Sequence, residues 1–69
     1  MRAFDRKRLM ELVAIDGRPV TEQCRLMGMS HGMLWSYETG RHEPSARMLA
    51  AMADFYGVTA DWLLGVGER

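Results

Sequence analysis

Residues 28–45 of this 69-residue chain have the sequence G-M-S-H-G-M-L-W-S-Y-E-T-G-R-H-E-P-S. The stretch predicts a tight turn, a short helix, a glycine stop and a basic loop that ends at the start of a further helix. Gly28 can adopt the positive φ that a turn between helices needs, and Ser30 is a favourable N-cap. Leu34 and Tyr37, three residues apart, are expected to turn inward. Four other side chains of the short helix are expected to face elsewhere: His31, Gly32, Trp35 and Ser36.

A short helix with a polar outer face, packed on a second helix across a glycine-containing turn, is the arrangement of a helix-turn-helix motif. In such a motif the second helix enters the major groove of DNA. The stretch therefore predicts that the helix at residues 30–39 contacts DNA.

Size and composition favour one small domain over residues 1–69. A chain of this length is near the lower limit for folding on a hydrophobic core alone, which favours oligomerisation. Apolar residues make up 48% and charged residues 26%, as in ordinary globular proteins. No apolar run is long enough to cross a membrane, and no signal peptide is visible. The single cysteine, Cys24, excludes an intramolecular disulfide, so we expect a cytoplasmic location, in the bacterial cytoplasm or nucleoid.

The charges balance, but their distribution is uneven. Nine basic and nine acidic side chains give a net charge of zero, whereas nucleic-acid-binding domains are usually basic. Basic side chains gather in the first eight residues (Arg2, Lys7 and two further arginines), and Arg41 and Arg47 lie in and just after the basic loop. Acids lie toward the C-terminus, among them Glu68. The sequence permits a molecule with one basic face.

Hydrophobic spacing and turn residues predict five helices and no strand. The predicted helices cover about residues 4–15, 19–27, 30–39, the segment from the Pro44-Ser45 start to Gly57, and the segment from an N-cap at Thr59 to Gly65. Inward-facing apolar residues are expected in every helix: Leu9, Leu12 and Val13; Val20, Cys24 and Met27; Leu34 and Tyr37; Met48, Leu49, Met52 and Ala53; and Trp62, Leu63 and Leu64.

Three segments resemble the Cro and lambda-repressor family of helix-turn-helix domains. The segment C-R-L-M-G-M-S (24–30) is similar to A-x-x-L-G-V-S, and L-W-S-Y-E-T-G-R-H-E-P-S (34–45) to I-S-x-I-E-N-G-x-R-x-P-S. The third, M-L-A-A-M-A-D-F-Y-G-V-T-A-D-W-L-L-G (48–65), is similar to L-x-x-L-A-x-A-L-G-V-S-x-D-W-L-L. The resemblance implies a compact, lambda-repressor-like five-helix bundle whose second and third helices form the helix-turn-helix.

The resemblance also implies which residues contact DNA. Base contacts are expected from His31, Gly32 and Ser36. Phosphate contacts are expected from Thr21, Ser30, Thr39, Gly40 and Arg41. Trp35 and Lys7 are candidates for contact with DNA or with a protein partner.

The chain departs from the family pattern at three positions. Val20 lies where a polar residue, often Gln, is usual. Val13 replaces a first-helix arginine that often pairs with the third-helix glutamate, here Glu38. Trp35 lies where small or polar residues are common. The third helix also lacks arginine and lysine, so it offers no bidentate contact to guanine.

The leading interpretation is a small sequence-specific transcriptional regulator of bacterial or phage type. It is expected to occupy a palindromic double-stranded operator as a homodimer and to act as a repressor, without a small-molecule effector, cofactor, metal or membrane. Trp62, Leu63 and Leu64 are candidates for the dimer contact, and the alternative is that all three cap the monomer core.

Two other functions stay open. The first is an antitoxin-like or anti-repressor interaction module on the same fold, which zero net charge and an exposed Trp35 favour. The second is a structural dimerisation domain cut from a larger protein. The start at Met1 and the short tail at residues 65–69 are the expectations that argue against it. Catalysis is not expected, because His31, His42 and Cys24 show no metal-ligand spacing and no phosphate-binding loop precedes a helix.

Overall fold

The computed structural model describes residues 4–67, which form five α-helices and, over that range, no strand. In chain order the helices are α1 Arg6–Asp16, α2 Val20–Met27, α3 His31–Glu38, α4 Ala46–Tyr56 and α5 Ala60–Leu63. The predicted all-helical architecture is confirmed, with helix ends within about two residues of those expected, the usual uncertainty of such boundaries. Arg2 and Glu68, which contribute to the uneven charge distribution of the sequence, lie outside the described residues.

Short polar side chains begin four of the helices. The side chains of Asp5, Ser30, Ser45 and Thr59 each accept a hydrogen bond from the backbone N–H three residues further on, at 3.0–3.2 Å. Such a cap satisfies a donor that the first helical turn leaves unpaired. Asp5 is the reason that α1 begins at Arg6 rather than at Phe4.

The turn at residues 28–30 sets α3 against α2. Gly28 has φ 75°, as expected, a left-handed conformation that a residue with a side chain rarely adopts. Its N–H donates to the carbonyl of Arg25 at 3.2 Å, and the N–H of Met29 donates to that of Cys24 at 3.0 Å. These bonds satisfy the last carbonyls of α2 and fix the direction in which the chain enters α3.

The core lies where the five helices meet. Leu9, Leu34, Met52 and Leu63 are fully buried, and one each comes from α1, α3, α4 and α5. The full set of buried apolar residues is Leu9, Leu12, Cys24, Met27, Leu34, Tyr37, Met52, Ala53, Trp62 and Leu63. Burial of the Cys24 thiol raises its pKa, as expected for a packing residue rather than a reactive one.

The C-terminal helix packs on the start of the chain. The N–H of Asp5 donates to the carbonyl of Leu63 at 2.8 Å, and the Arg8 guanidinium donates to the carbonyl of Trp62 at 2.7 Å. The same guanidinium lies 4.9 Å from the centroid of the Trp62 ring. Leu63 is 0% exposed and Trp62 is buried, while Leu64 is half-buried. This corrects the expectation of a subunit contact for Leu63 and Trp62, because the monomer core already covers them.

Gln23 is a fully buried polar residue within the apolar stripe of α2. Its Nε2 donates to the carbonyls of Val13 at 3.2 Å and Arg18 at 2.8 Å. Its Oε1 accepts from the Tyr56 hydroxyl at 2.6 Å. One amide therefore joins α1, the α1–α2 turn and α4 to α2. Burial also raises the pKa of Tyr56, so its hydroxyl stays a donor at neutral pH.

Gln23→Leu is expected to lower the free energy of unfolding by about 2–3 kcal/mol, because it leaves two carbonyls and one hydroxyl without their partner. Tyr56→Phe removes a single bond and is expected to cost about 1–2 kcal/mol. Urea denaturation at pH 7 measures both.

Tyr37→Phe is the matched control for these variants. Tyr37 is also buried, but its hydroxyl makes no hydrogen bond within residues 4–67. A loss of stability in Tyr37→Phe as large as that in Tyr56→Phe would contradict the role given to the Gln23 amide.

Candidate nucleic-acid interface

The outer face of α3 is the exposed surface that the sequence singled out. Leu34 and Tyr37 are buried against the other helices, as expected. The N-terminal half of α3 is open to solvent, with His31, Gly32 and Met33 exposed. In helix-turn-helix proteins this part of the second helix meets base edges.

Ser36 does not face outward. It is 8% exposed, and its hydroxyl donates to the carbonyl of Met33 at 2.9 Å. Its own carbonyl accepts from the N–H groups of Arg41 at 2.9 Å and His42 at 3.3 Å, so the loop folds back over it. This corrects the expected orientation, and a direct hydrogen bond from Ser36 to a base has no support in the structure.

The loop after α3 is held to the helix by Thr39. Both the N–H and the hydroxyl of Thr39 donate to the carbonyl of Trp35 at 3.0 Å. The hydroxyl proton is thereby used within the protein, and its oxygen can only accept. Thr39 is exposed but is not placed to donate to a phosphate. Gly40 follows with φ 82° and lets the chain leave the helix sharply.

Trp35 is exposed and carries a basic partner. The residue is 52% exposed, and the Arg41 guanidinium carbon lies 5.3 Å from the centroid of its ring. A guanidinium over an indole ring is attracted by the ring electrons, and this interaction contributes about 0.5–1 kcal/mol at an exposed site. Trp35 therefore restricts where the Arg41 charge can lie.

Arg6 is a second guanidinium at the same end of α3, and it is not among the contact residues predicted from the sequence. It donates to the carbonyl of Glu38 at 3.3 Å. Its Cδ lies 3.6 Å from the place where a Cβ on Gly40 would be, so the side chain runs along the glycine. A basic side chain at a helix C-terminus also complements the partial negative charge there. The only sequence signal was the cluster of basic residues near the N-terminus.

The other predicted contact residues are exposed, in different elements. Ser30 caps α3, and its hydroxyl proton remains able to donate to an anion. Thr21 lies in the first turn of α2, Lys7 in the first turn of α1 and His31 at the start of α3. The side chains of these last three make no hydrogen bond or ion pair within the described residues, so all three are available to a partner.

Glu38 is a carboxylate that forms no salt bridge in the described part of the chain. It ends α3 and is half-buried. Burial raises its pKa, an effect that the nearby His31 partly offsets. Val13 lies where the resemblance implied an arginine that pairs with this carboxylate. An acid at a helix C-terminus is also unfavourable because of the helix dipole.

Glu38→Gln is expected to raise the free energy of unfolding at pH 7 by about 0.3–1 kcal/mol, the size of an unfavourable charge at a helix terminus. Because folding raises the pKa of Glu38, the ionised carboxylate destabilises the folded protein, and protonation removes that cost. The gain from glutamine therefore disappears as the pH falls below 4.5, the ordinary pKa of the group.

Urea denaturation of both proteins at pH 7 and pH 3.5 measures this difference. Glu11→Gln, at an exposed position within α1, is the control and is expected to change little at either pH. A gain for Glu38→Gln that persists at low pH would show that the charge is not its cause.

Within residues 4–67, no three His, Cys, Asp or Glu side chains are grouped so that they could hold a metal ion. In the same range, no helix is long and apolar enough to cross a membrane.

Two helices joined by a glycine turn, with the second exposed at its N-terminal half, define a helix-turn-helix unit. Comparison with known families agrees, since a helix-turn-helix domain family model matches residues 6–63. The chain belongs to this family, which is of the Cro-like type that the sequence indicated. No curated protein and no solved structure matches the chain.

Proposed function

We propose that the protein is a small sequence-specific DNA-binding regulator that occupies an operator through α3. The observation that carries this proposal is the pair of guanidinium groups at the end of α3. Arg6 runs along Gly40, and Arg41, the next residue, lies over Trp35, so both cations are at the C-terminal end of α3. A helix in the major groove runs between two phosphate backbones, so cations at its end are suited to phosphate contact.

Contacts to bases and to phosphates are divided among different residues in this proposal. His31 supplies the hydrogen bond to a base edge, and Gly32 allows the backbone to approach. Arg6 and Arg41 contact phosphates. The hydroxyls of Thr21 and Ser30, the backbone at Gly40 and the Lys7 ammonium extend the phosphate contacts along the same strand.

The finer features of the proposal are those predicted from the sequence. The protein is a repressor of bacterial or phage type that acts in the cytoplasm or nucleoid as one domain over residues 1–69. It binds a palindromic operator as a homodimer and needs no cofactor, metal or effector, and it is not an enzyme. Half-sites about 34 Å apart would let both copies contact one face of the duplex.

A second candidate function is a protein-interaction module on the same fold. The observation that favours it is that three large apolar side chains on the surface of α2 and α3 are exposed: Leu26, Met33 and Trp35. Under this alternative the surface binds a protein partner, and DNA affinity is weak or absent.

Titration of a random duplex at increasing salt tests the proposal against this alternative. The logarithm of the binding constant falls linearly with the logarithm of the salt concentration, and each phosphate contact adds about 0.9 to the steepness of that line. Arg6→Ala and Arg41→Ala are therefore each expected to make the line less steep by about one. Both variants are expected to weaken binding equally for all sequences.

Arg25→Ala is the matched control, because Arg25 is exposed but already paired with Glu22 at 2.6 Å. It is expected to leave the slope unchanged. No duplex binding at low salt would refute the regulator function and support the interaction module, whereas binding with identical slopes for all three variants and the parent would refute the phosphate contacts of Arg6 and Arg41.

His31→Ala is expected to act on base preference instead. After selection of binding sites from a random duplex pool, it is expected to relax preference at one position per half-site, at a cost of about 1–3 kcal/mol. Affinity measured for the four base pairs at each position locates that change. Equal weakening for all four would make His31 a backbone contact.

A further inference from the structure

Arg41 has a guanidinium whose N–H donors are all free within the part of the chain that the structure describes. They make no hydrogen bond or ion pair there, whereas the guanidinium of Arg6 already donates to the carbonyl of Glu38. A free arginine on a protein surface samples many rotamers, and a ligand that fixes it must offset the entropy that is lost. The surroundings of Arg41 therefore decide how much of this ordering exists before a ligand binds.

The backbone of Arg41 is fixed relative to Trp35 by hydrogen bonds at the end of α3. The N–H of Arg41 donates to the carbonyl of Ser36 at 2.9 Å. The N–H and the hydroxyl of Thr39 both donate to the carbonyl of Trp35 itself, at 3.0 Å. Gly40, with φ 82°, turns the chain between these bonds. The Arg41 side chain therefore begins at a defined place beside the ring.

The other end of the Arg41 side chain lies over the Trp35 ring. The guanidinium carbon is 5.3 Å from the ring centroid. Among aromatic side chains, tryptophan attracts a cation over its ring most strongly. A ring covers one face of the planar guanidinium, while the N–H donors point outward from its edge. The guanidinium over the ring can therefore still donate two parallel hydrogen bonds to a phosphate group.

We propose that Trp35 is a positioning residue, which holds the Arg41 guanidinium in place for a DNA phosphate and acts on binding through Arg41 alone. The inference rests on the DNA-binding function proposed above and adds the residue that orients one of its phosphate contacts. Trp35 lies where the family pattern has small or polar residues, so the pattern itself does not supply this contact. Arg6, at the same end of α3, has no aromatic partner within residues 4–67.

A double-mutant cycle tests whether Trp35 acts through Arg41. Trp35→Ala is expected to weaken binding about two- to five-fold, the factor by which such a contact favours the held position of the guanidinium over others. In the Arg41→Ala background the same substitution is expected to change nothing, because no guanidinium remains to be positioned. Fluorescence anisotropy at fixed salt measures the affinities, with a labelled duplex that the parent protein has selected from a random pool.

The salt dependence of binding separates positioning from direct contact. In Trp35→Ala the line of log affinity against log salt is expected to stay as steep as in the parent, because Arg41 still neutralises its phosphate once bound. In Arg41→Ala the line is expected to be less steep by about one. A merely structural effect of Trp35→Ala would lower the affinity equally in the parent and in the Arg41→Ala background.

Two further variants and a second cycle assign the effect to the ring and to its one partner. Trp35→Phe keeps an aromatic face and is expected to retain part of the lost affinity. Trp35→Leu keeps apolar surface without a ring and is expected to bind as weakly as Trp35→Ala. The matched control is the cycle of Trp35→Ala with Arg6→Ala, whose effects are expected to be additive, because Arg6 does not contact the ring.

The outcomes distinguish this inference from the function on which it rests. Duplex binding that Trp35→Ala does not weaken overturns the positioning role and leaves the regulator function standing. An equal loss in the parent and in the Arg41→Ala background overturns it too, since Trp35 would then contact DNA directly or support the fold. A salt line as steep in Arg41→Ala as in the parent also overturns it. Absence of any duplex binding refutes the regulator function and the positioning role together.

Discussion

The buried amide of Gln23 is the interaction on which the orientation of the helices depends. It is the fully buried polar side chain that joins the end of α1, the α1–α2 turn and α4 to α2. A buried polar group costs free energy unless every partner is present, so this set of bonds tolerates little displacement of α2. Because α3 packs on α2 across a short turn, the direction of the exposed helix follows from the position of that amide.

Most of the fold was predictable from the sequence, because its signals are local. The Gly28 turn, the caps at Ser30 and Thr59 and the inward spacing of Leu34 and Tyr37 each depend on residues within one or two helical turns. Gln23 was missed, since hydropathy assigns glutamine to the surface. A signal existed, because Gln23 lies three residues after Val20 and four before Met27, on the apolar stripe of α2.

The site was less predictable than the fold, because it depends on contacts between distant parts of the chain. Arg6 donates to the carbonyl of Glu38, 32 residues further along the chain, and no sequence pattern near either residue predicts that hydrogen bond. Ser36 is covered by the backbone of the following loop, which helical spacing alone does not represent. Leu63 is fully buried within one chain. Helical spacing alone did not distinguish this burial in the core from a contact between subunits. The exposed α3 face, by contrast, follows from Leu34 and Tyr37 facing inward.

The two tryptophans lie in contrasting surroundings, so the intrinsic fluorescence of the protein reports on two different events. Trp62 is buried beneath Arg8, so its emission changes when the core opens to water. Trp35 is half-exposed on α3 beside Arg41, so its emission responds to whatever covers that face. Occupancy of the surface and unfolding of the domain thereby have separate optical signals, without a label attached to the protein.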